Sequence, residues 1–146
     1  MYFAYTALVS PDKLAELAPD AEFSFIAHLP EWKLVFPYEN GQWRGGLPSA
    51  TPGSGNTVWG VVFQLSKSAL AAIDANEKAE GRTRATVEIM DRNGRRHEAV
   101  THLFDGSLNG DRSPSADYLR MMLVGGRHWK LPAGWIAGLE EHLQRA

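Results

Sequence analysis

The stretch TVWGVVFQLSKSALAAIDANE, residues 57–77, decides the fold because it joins a strand directly to a helix. Residues 57–65 form a nearly continuous apolar run rich in β-branched and aromatic side chains, which is typical of a central strand. Ser66 follows as a helix N-cap, and Leu70 and Ile73 continue an apolar helical stripe. We therefore predict a central strand followed at once by a helix.

Further strands are indicated on both sides of this unit. A short aromatic run opens the chain at residues 2–5, and apolar alternation at 23–29 and 32–36 predicts two strands or one strand broken by a bulge. Residues 84–90 and 98–104 flank an Asn-Gly dipeptide, which predicts a hairpin with a type I′ turn.

Three more helices are expected. One begins at Pro11 after the cap Ser10, one follows Ser113-Pro114 and stops at Gly125-Gly126, and one runs from Pro132. The Gly-, Pro- and Ser-rich residues 41–56 are expected to form a long, mobile loop. Because strands outnumber helices and hairpins are evident, the pattern favours an α+β fold.

Composition excludes several classes of protein. A length of 146 residues with 44% hydrophobic and 22% charged side chains fits one globular domain, residues 1–146. The net charge of −2 provides no general field for nucleic acid, and the absence of cysteine excludes disulfides and a thiol nucleophile. With no signal peptide and no apolar run of bilayer length, we expect a cytoplasmic protein without membrane partners.

Common catalytic motifs are missing. His97 and His102 are five residues apart on a predicted strand and so face opposite sides, which argues against a metal site. Residues 53–55 do not complete a nucleophile elbow, and no glycine-rich phosphate loop opens a helix. We expect no cofactor. Met121-Met122 is expected to pack in the core, whereas the hydroxyl of Tyr118 needs a partner if buried, and a ligand could supply it.

Glu77 is the acidic residue with an unusual position. It lies just past the last apolar turn of the second helix, where the helix dipole slightly disfavours a carboxylate. Most Glu residues are solvated, so position alone favours an exposed surface acid.

Five segments in order, YFAY, HLPEWKLVF, WRGGLPSATPG, VWGVVFQLSKSALAAIDANE and PSADYLRMM, resemble the γ-glutamylcyclotransferase-like family over about residues 2–143. The resemblance implies a mixed β-barrel with flanking helices. It also implies conversion of a γ-glutamyl amide into 5-oxoproline and a free amine. The small-molecule partner would then be a γ-glutamyl compound, and the oligomeric state stays open.

The resemblance assigns site residues as well. Glu77 matches the family's catalytic acid/base, and Tyr118 matches a tyrosine that lines the cleft. The family's Tyr-Gly-Ser-Asn loop, which holds the amino-acid end of the glutamyl group, corresponds to Tyr5, Thr6, Ala7 and Leu8. Because the substrate's own α-amine attacks its γ-carbonyl, the protein mainly has to move protons, and a carboxyl in an apolar cleft can do this.

Two classes of function follow from these matches. The first is an enzyme that cyclises a γ-glutamyl amide with Glu77 as acid/base. The alternative is a non-catalytic module of the same fold that binds a small molecule or a partner, because Thr6-Ala7-Leu8 replaces the family's Gly-Ser-Asn.

Overall fold

A closed five-stranded barrel flanked by four α-helices forms the protein, as a computed structural model covering residues 1–106 and 111–146 describes it. The elements in chain order are β1 (Tyr2–Ala4), a 3₁₀ helix (Ala7–Val9), α1 (Pro11–Leu17), β2 (Glu22–Tyr38), β3 (Leu47–Gln64), α2 (Lys67–Ala79), β4 (Arg82–Asp91), β5 (Arg96–Phe104), α3 (Ala116–His128) and α4 (Ala133–Gln144). The strand order is β1-β3-β2-β4-β5, and a parallel pairing of Tyr2 with Val100 closes the barrel. The other pairings are antiparallel, so the expected α+β fold with a mixed barrel is confirmed.

The two long strands β2 and β3 form the largest hairpin. β2 is one strand with irregular register between Phe23 and Phe25, at Pro30–Trp32 and near its end, which selects the bulged form of the two alternatives. The expectation of a loop over 41–56 is wrong for its second half, because residues 47–56 belong to β3. Pairing with β2 along this segment provides backbone partners that override the weak strand propensity of Gly and Pro.

The hairpin between β4 and β5 is present, but its turn differs from the predicted one. Gly94 has a φ of 80°, whereas Asn93 is not among the residues with positive φ, so the turn is not type I′. The carboxylate of Asp91 instead accepts hydrogen bonds from the N–H groups of Asn93 and Arg95 at 2.8 and 3.0 Å. This side chain organises a longer loop of four residues.

α2 begins after its predicted N-cap, whereas α3 does not stop at its predicted glycines. The hydroxyl of Ser66 accepts from the N–H of Ala69 at 3.1 Å at the start of α2. The prediction that α3 stops at Gly125-Gly126 is wrong, since the helix continues to His128. Gly125 is needed for close approach, because a Cβ there would collide with the backbone of Val9.

The core fills the barrel and the space under the helices. Side chains of β1, β2 and β3 such as Phe3, Leu29 and Val62 pack inside with Ile89 of β4. β1 leads into the 3₁₀ helix, which lies against α3, so the chain from residue 5 to residue 9 sits between barrel and helices. In the parts of the chain described, no helix has the length and apolar character needed to cross a membrane.

Candidate active site

Glu77 lies in the last turn of α2 and is buried, with 2% of its surface exposed. The expectation of a solvated surface acid is therefore wrong. The hydroxyl of Thr6 donates a hydrogen bond to Oε1 of Glu77 at 3.3 Å. This contact joins the segment after β1 to the end of α2, across 71 residues of sequence.

The second oxygen of Glu77 pairs with Arg82, whose side chain is completely buried. The guanidinium reaches this place because Gly81, with a φ of 86°, turns the chain back from α2 into β4. Nη1 contacts both Glu77 and, at 3.0 Å, Oε1 of Glu80, while Nε donates to the carbonyl of Pro48 at 2.7 Å. The surroundings of Glu77 are therefore charged, whereas the sequence had suggested an apolar cleft.

The electrostatics of this pair decide the charge of Arg82. Desolvation by burial opposes the cation, but the carboxylate of Glu77, followed by nearby tyrosines, keeps the pKa of Arg82 well above its ordinary value. The guanidinium of Arg82 is therefore a buried cation in contact with the carboxylates of Glu77 and Glu80.

Tyr118, at the start of α3, connects the pieces of the network. Its hydroxyl accepts from Nη2 of Arg82 at 2.9 Å and from the N–H of Ala7 at 3.3 Å, and it donates to Glu80 at 3.1 Å. Burial is the largest cause that raises the pKa of Tyr118, and Arg82 opposes it. The hydroxyl is therefore neutral near pH 7 and has all its hydrogen-bonding capacity in use.

The segment at residues 5–8 divides between two roles. Thr6 and Ala7 contact Glu77 and Tyr118, as described above. Tyr5 points elsewhere, because its hydroxyl donates to the carbonyl of His102 at 2.7 Å. Leu8 is 3% exposed and packs in an apolar cluster with residues of α1 and β3.

A small cavity of about 50 Å³ borders this network. The residues that line it come from the 3₁₀ helix, α1, α2 and α3 and the loop before β3, namely Ala7, Leu8, Lys13, Glu16, Leu17, Trp43, Asn76, Glu80, Tyr118 and Met121. The structure thus brings Ala7, Leu8 and Tyr118 to one cavity. Tyr5, Thr6 and Glu77 are not part of that lining.

Sequence reasoning missed Arg82, Glu80 and Trp43. The useful signal was Gly81 directly after a helix, because a glycine there reverses the chain and returns the next residue toward the helix end. Trp43 sits edge-on to Tyr118 at 5.2 Å between ring centroids, and no pattern in its glycine-rich surroundings indicated that contact.

The arrangement can move protons at a carboxylate. Glu77 offers a carboxyl group held by one hydroxyl donor and one guanidinium, close to a second carboxyl group and a neutral phenol. Among residues 1–106 and 111–146, no three His, Asp or Glu side chains are grouped so as to hold a metal ion.

Comparison with known families gives this geometry a context. The family model of the AIG2-like family matches residues 57–139, which is more than half of the chain. The chain belongs to the AIG2-like family. The match begins at the central strand β3 and includes α2 with Glu77, β4 with Arg82 and α3 with Tyr118.

Relatives of this AIG2-like chain carry a more specific name. It is 26% identical over 136 residues to the γ-glutamylcyclotransferase of Homo sapiens, and 27% identical over 138 residues to that of Mus musculus. Each alignment covers 90% of this chain and 72% of the relative. A solved structure named γ-glutamyl cyclotransferase superimposes with a TM-score of 0.86 at 25% identity, covering 95% of this chain and 85% of that one. The barrel is therefore a γ-glutamyl cyclotransferase fold.

Proposed function

We propose that this chain cyclises the γ-glutamyl group of a γ-glutamyl amide to 5-oxoproline and releases the amine, with Glu77 as acid/base. One observation carries the proposal. Thr6, Glu77 and Tyr118, which the sequence places in three distant segments, are connected through direct contacts and through Arg82. The similarity to proteins named γ-glutamylcyclotransferase supports the same reaction.

The chemistry requires one bond to form and one to break. The substrate's α-nitrogen attacks its γ-carbonyl carbon, and the bond from that carbon to the amide nitrogen then breaks. The α-ammonium loses one proton before the attack and a second as the lactam forms, and the departing nitrogen gains two protons to leave as an ammonium, so one carboxylate can relay the protons from one nitrogen to the other. Ring closure within one molecule needs no nucleophile from the protein.

Each neighbour of Glu77 has a role in these reaction steps. The hydroxyl of Thr6 fixes one carboxylate oxygen and Arg82 fixes the other, which orients the carboxylate that accepts the first proton. Tyr118 accepts a hydrogen bond from the other terminal nitrogen of the guanidinium, Nη2. We propose Ala7, Leu8 and Tyr118 as walls of the cavity, which has room for one small group of the substrate, and Tyr5 and Thr6 as supports of the same loop.

The test is product formation from a panel of γ-glutamyl amides that includes γ-glutamyl amino acids, γ-glutamylamines and glutathione. Chromatography should detect 5-oxoproline and the free amine in equal amounts from at least one compound. Glu88→Gln is the matched control for Glu77→Gln, because Glu88 is a surface acid with a side chain 61% exposed. Its activity should equal that of the unchanged protein, and absence of 5-oxoproline from every compound would refute the proposal.

The second candidate function is a binding module without turnover. The burial of Leu8 favours it, because an apolar core residue stands where the family's loop has an asparagine amide. In that case a γ-glutamyl compound would raise the melting temperature of the protein while no 5-oxoproline appears. Turnover at any measurable rate that depends on Glu77 would exclude this alternative.

A further inference from the structure

His102 of β5 is a buried histidine that the proposed reaction does not use. Its side chain is 2% exposed, and its Nε2 lies 2.7 Å from Oδ1 of Asp74 on α2. A carboxylate oxygen accepts hydrogen bonds, so Nε2 is the donor in this contact. Within the described part of the chain, Nδ1 of His102 has no hydrogen-bond partner. Of the polar groups described, Asp74 is therefore the one that holds this buried ring.

Asp74 joins the histidine to the helix that carries Glu77. The two acids are three residues apart on α2, so their side chains lie on the same face of the helix, about one turn apart. Arg84 of β4, which is paired with His102 across the hairpin, also donates to Asp74 at 3.2 Å. The hydrogen bond from Arg84 holds the pKa of Asp74 below its usual value, and the one from His102 acts in the same direction. Asp74 is therefore an ionised acceptor near pH 7 that attaches α2 to both strands of the hairpin.

The two donors to Asp74 differ in how firmly they hold it. Arg84 has a long side chain that is 48% exposed, and an exposed ion pair of this kind contributes little. His102 is short and buried, and its ring packs edge-on against Tyr2 at 5.9 Å between ring centroids. Since packing fixes this ring in the barrel, the histidine gives α2 the more rigid attachment.

The main chain of His102 holds the other half of the candidate site. Its carbonyl accepts from the hydroxyl of Tyr5 at 2.7 Å. Tyr5 precedes Thr6, whose hydroxyl donates to Oε1 of Glu77. One residue of β5 therefore contacts both the segment at residues 5–8 and the helix that carries the candidate acid/base.

We propose that His102 is a positioning residue that acts through Asp74 to fix the last turn of α2, and with it the carboxylate of Glu77. The inference rests on the proposed function for its effect on rate, because Glu77 is the acid/base there. A misplacement of about 1 Å can cost about 100-fold in rate. Loss of the hydrogen bond to Asp74 should therefore lower kcat without removing any residue that we propose as a wall of the cavity.

Two pairs of variants test this hydrogen bond from its two ends. His102→Gln places an amide nitrogen near the position of Nε2, and Asp74→Asn keeps an oxygen acceptor, so both can preserve the contact. His102→Asn is too short to reach Asp74, and Asp74→Ala removes the acceptor. In the two disruptive variants kcat for 5-oxoproline formation should fall by about 10-fold with KM changed less than about 2-fold, and the conservative variants should stay within about 2-fold of the unchanged protein. Arg84→Gln, the matched control, removes the other donor to Asp74 and should also stay within about 2-fold.

The separation of kcat from KM distinguishes positioning from a role in stability alone. A lower melting temperature with unchanged kcat in both disruptive variants would overturn the inference. An equal fall of kcat in Arg84→Gln would overturn it as well, because the buried ring would then have no special part. If His102→Asn does not fold, Asp74→Ala decides, since that side chain is 33% exposed and its truncation leaves the core intact.

Hydrogen exchange separates the inference from the proposed reaction, because it needs no substrate. In Asp74→Ala the backbone amides of residues 76–79, in the last turn of α2, should exchange about 10-fold faster relative to those of residues 119–123 in α3 than they do in the unchanged protein. Absence of 5-oxoproline from the unchanged protein would refute the proposed reaction. Faster exchange would then still sustain the positioning of α2 by His102 and Asp74, and unchanged exchange would overturn it.

Discussion

Replacing Arg82 with methionine should destabilise the protein strongly. Methionine fills much of the volume of the arginine stem but leaves Glu77 and Glu80 without their shared cation. It also removes the donors to Pro48 and Tyr118. Removing one partner of a buried ion pair costs about 3–5 kcal/mol. At roughly 3 °C per kcal/mol for a chain of this size, the melting temperature should fall by about 10–15 °C.

The assay is urea unfolding of Arg82→Met, Glu77→Gln and the double variant, followed by circular dichroism. In the double variant only Glu80 remains as a carboxylate beside the missing cation, so it should be more stable than Arg82→Met alone. Arg82→Lys preserves the charge but not the planar fork, and its stability should lie between those of the methionine variant and the unchanged protein. The slope of unfolding free energy against urea should be the same in each case.

Two outcomes would refute this reasoning. A loss of less than about 1 kcal/mol for Arg82→Met would mean that the guanidinium does not neutralise buried carboxylates. Additive effects of Arg82→Met and Glu77→Gln would mean that the two side chains do not interact, since residues in direct contact show coupling energies above about 0.5 kcal/mol.

Two further predictions compare matched pairs of variants, with the stability of each variant measured by thermal or urea unfolding. Tyr118→Phe removes a hydroxyl with three hydrogen-bond partners and should cost about 1–3 kcal/mol, whereas Tyr38→Phe removes a buried hydroxyl that has no partner among the residues the structure describes and should change stability by less than about 0.5 kcal/mol. Equal losses would contradict the assigned contacts. Gly125→Ala should destabilise by about 1–3 kcal/mol because its methyl group meets the backbone of Val9, whereas Gly138→Ala, where no atom of the described residues lies within 4 Å of the added Cβ, should stabilise α4 by up to about 1 kcal/mol. A stabilising Gly125→Ala would refute the close approach of α3 to the 3₁₀ helix.

The local signals in the sequence predicted the elements well. Ser66 before an apolar helical stripe predicted the start of α2, and the apolar run before it predicted a buried strand. Element ends were harder, because Gly125 is required for packing against Val9 and not for a helix stop. Partners far away in sequence decide such positions, and no local pattern contains them.

The candidate site was likewise only partly predictable from the sequence. Glu77 and Tyr118 could be named from a family resemblance, and the structure places them in one network. Arg82 could not, because an arginine at the start of a strand is usually exposed, and its burial depends on two carboxylates, a carbonyl and a phenol from other elements. The electrostatic character of the site, charged where an apolar cleft was expected, followed from that one residue.

The measurement that tests the central claim most directly is the rate of 5-oxoproline formation by Glu77→Gln, compared with the unchanged protein on the best γ-glutamyl amide. The exchange preserves shape and hydrogen bonding but removes proton transfer, so kcat should fall by about 10²-fold or more while the ligand still raises the melting temperature. Undiminished 5-oxoproline formation by a correctly folded Glu77→Gln variant would contradict the assignment of Glu77 as the acid/base.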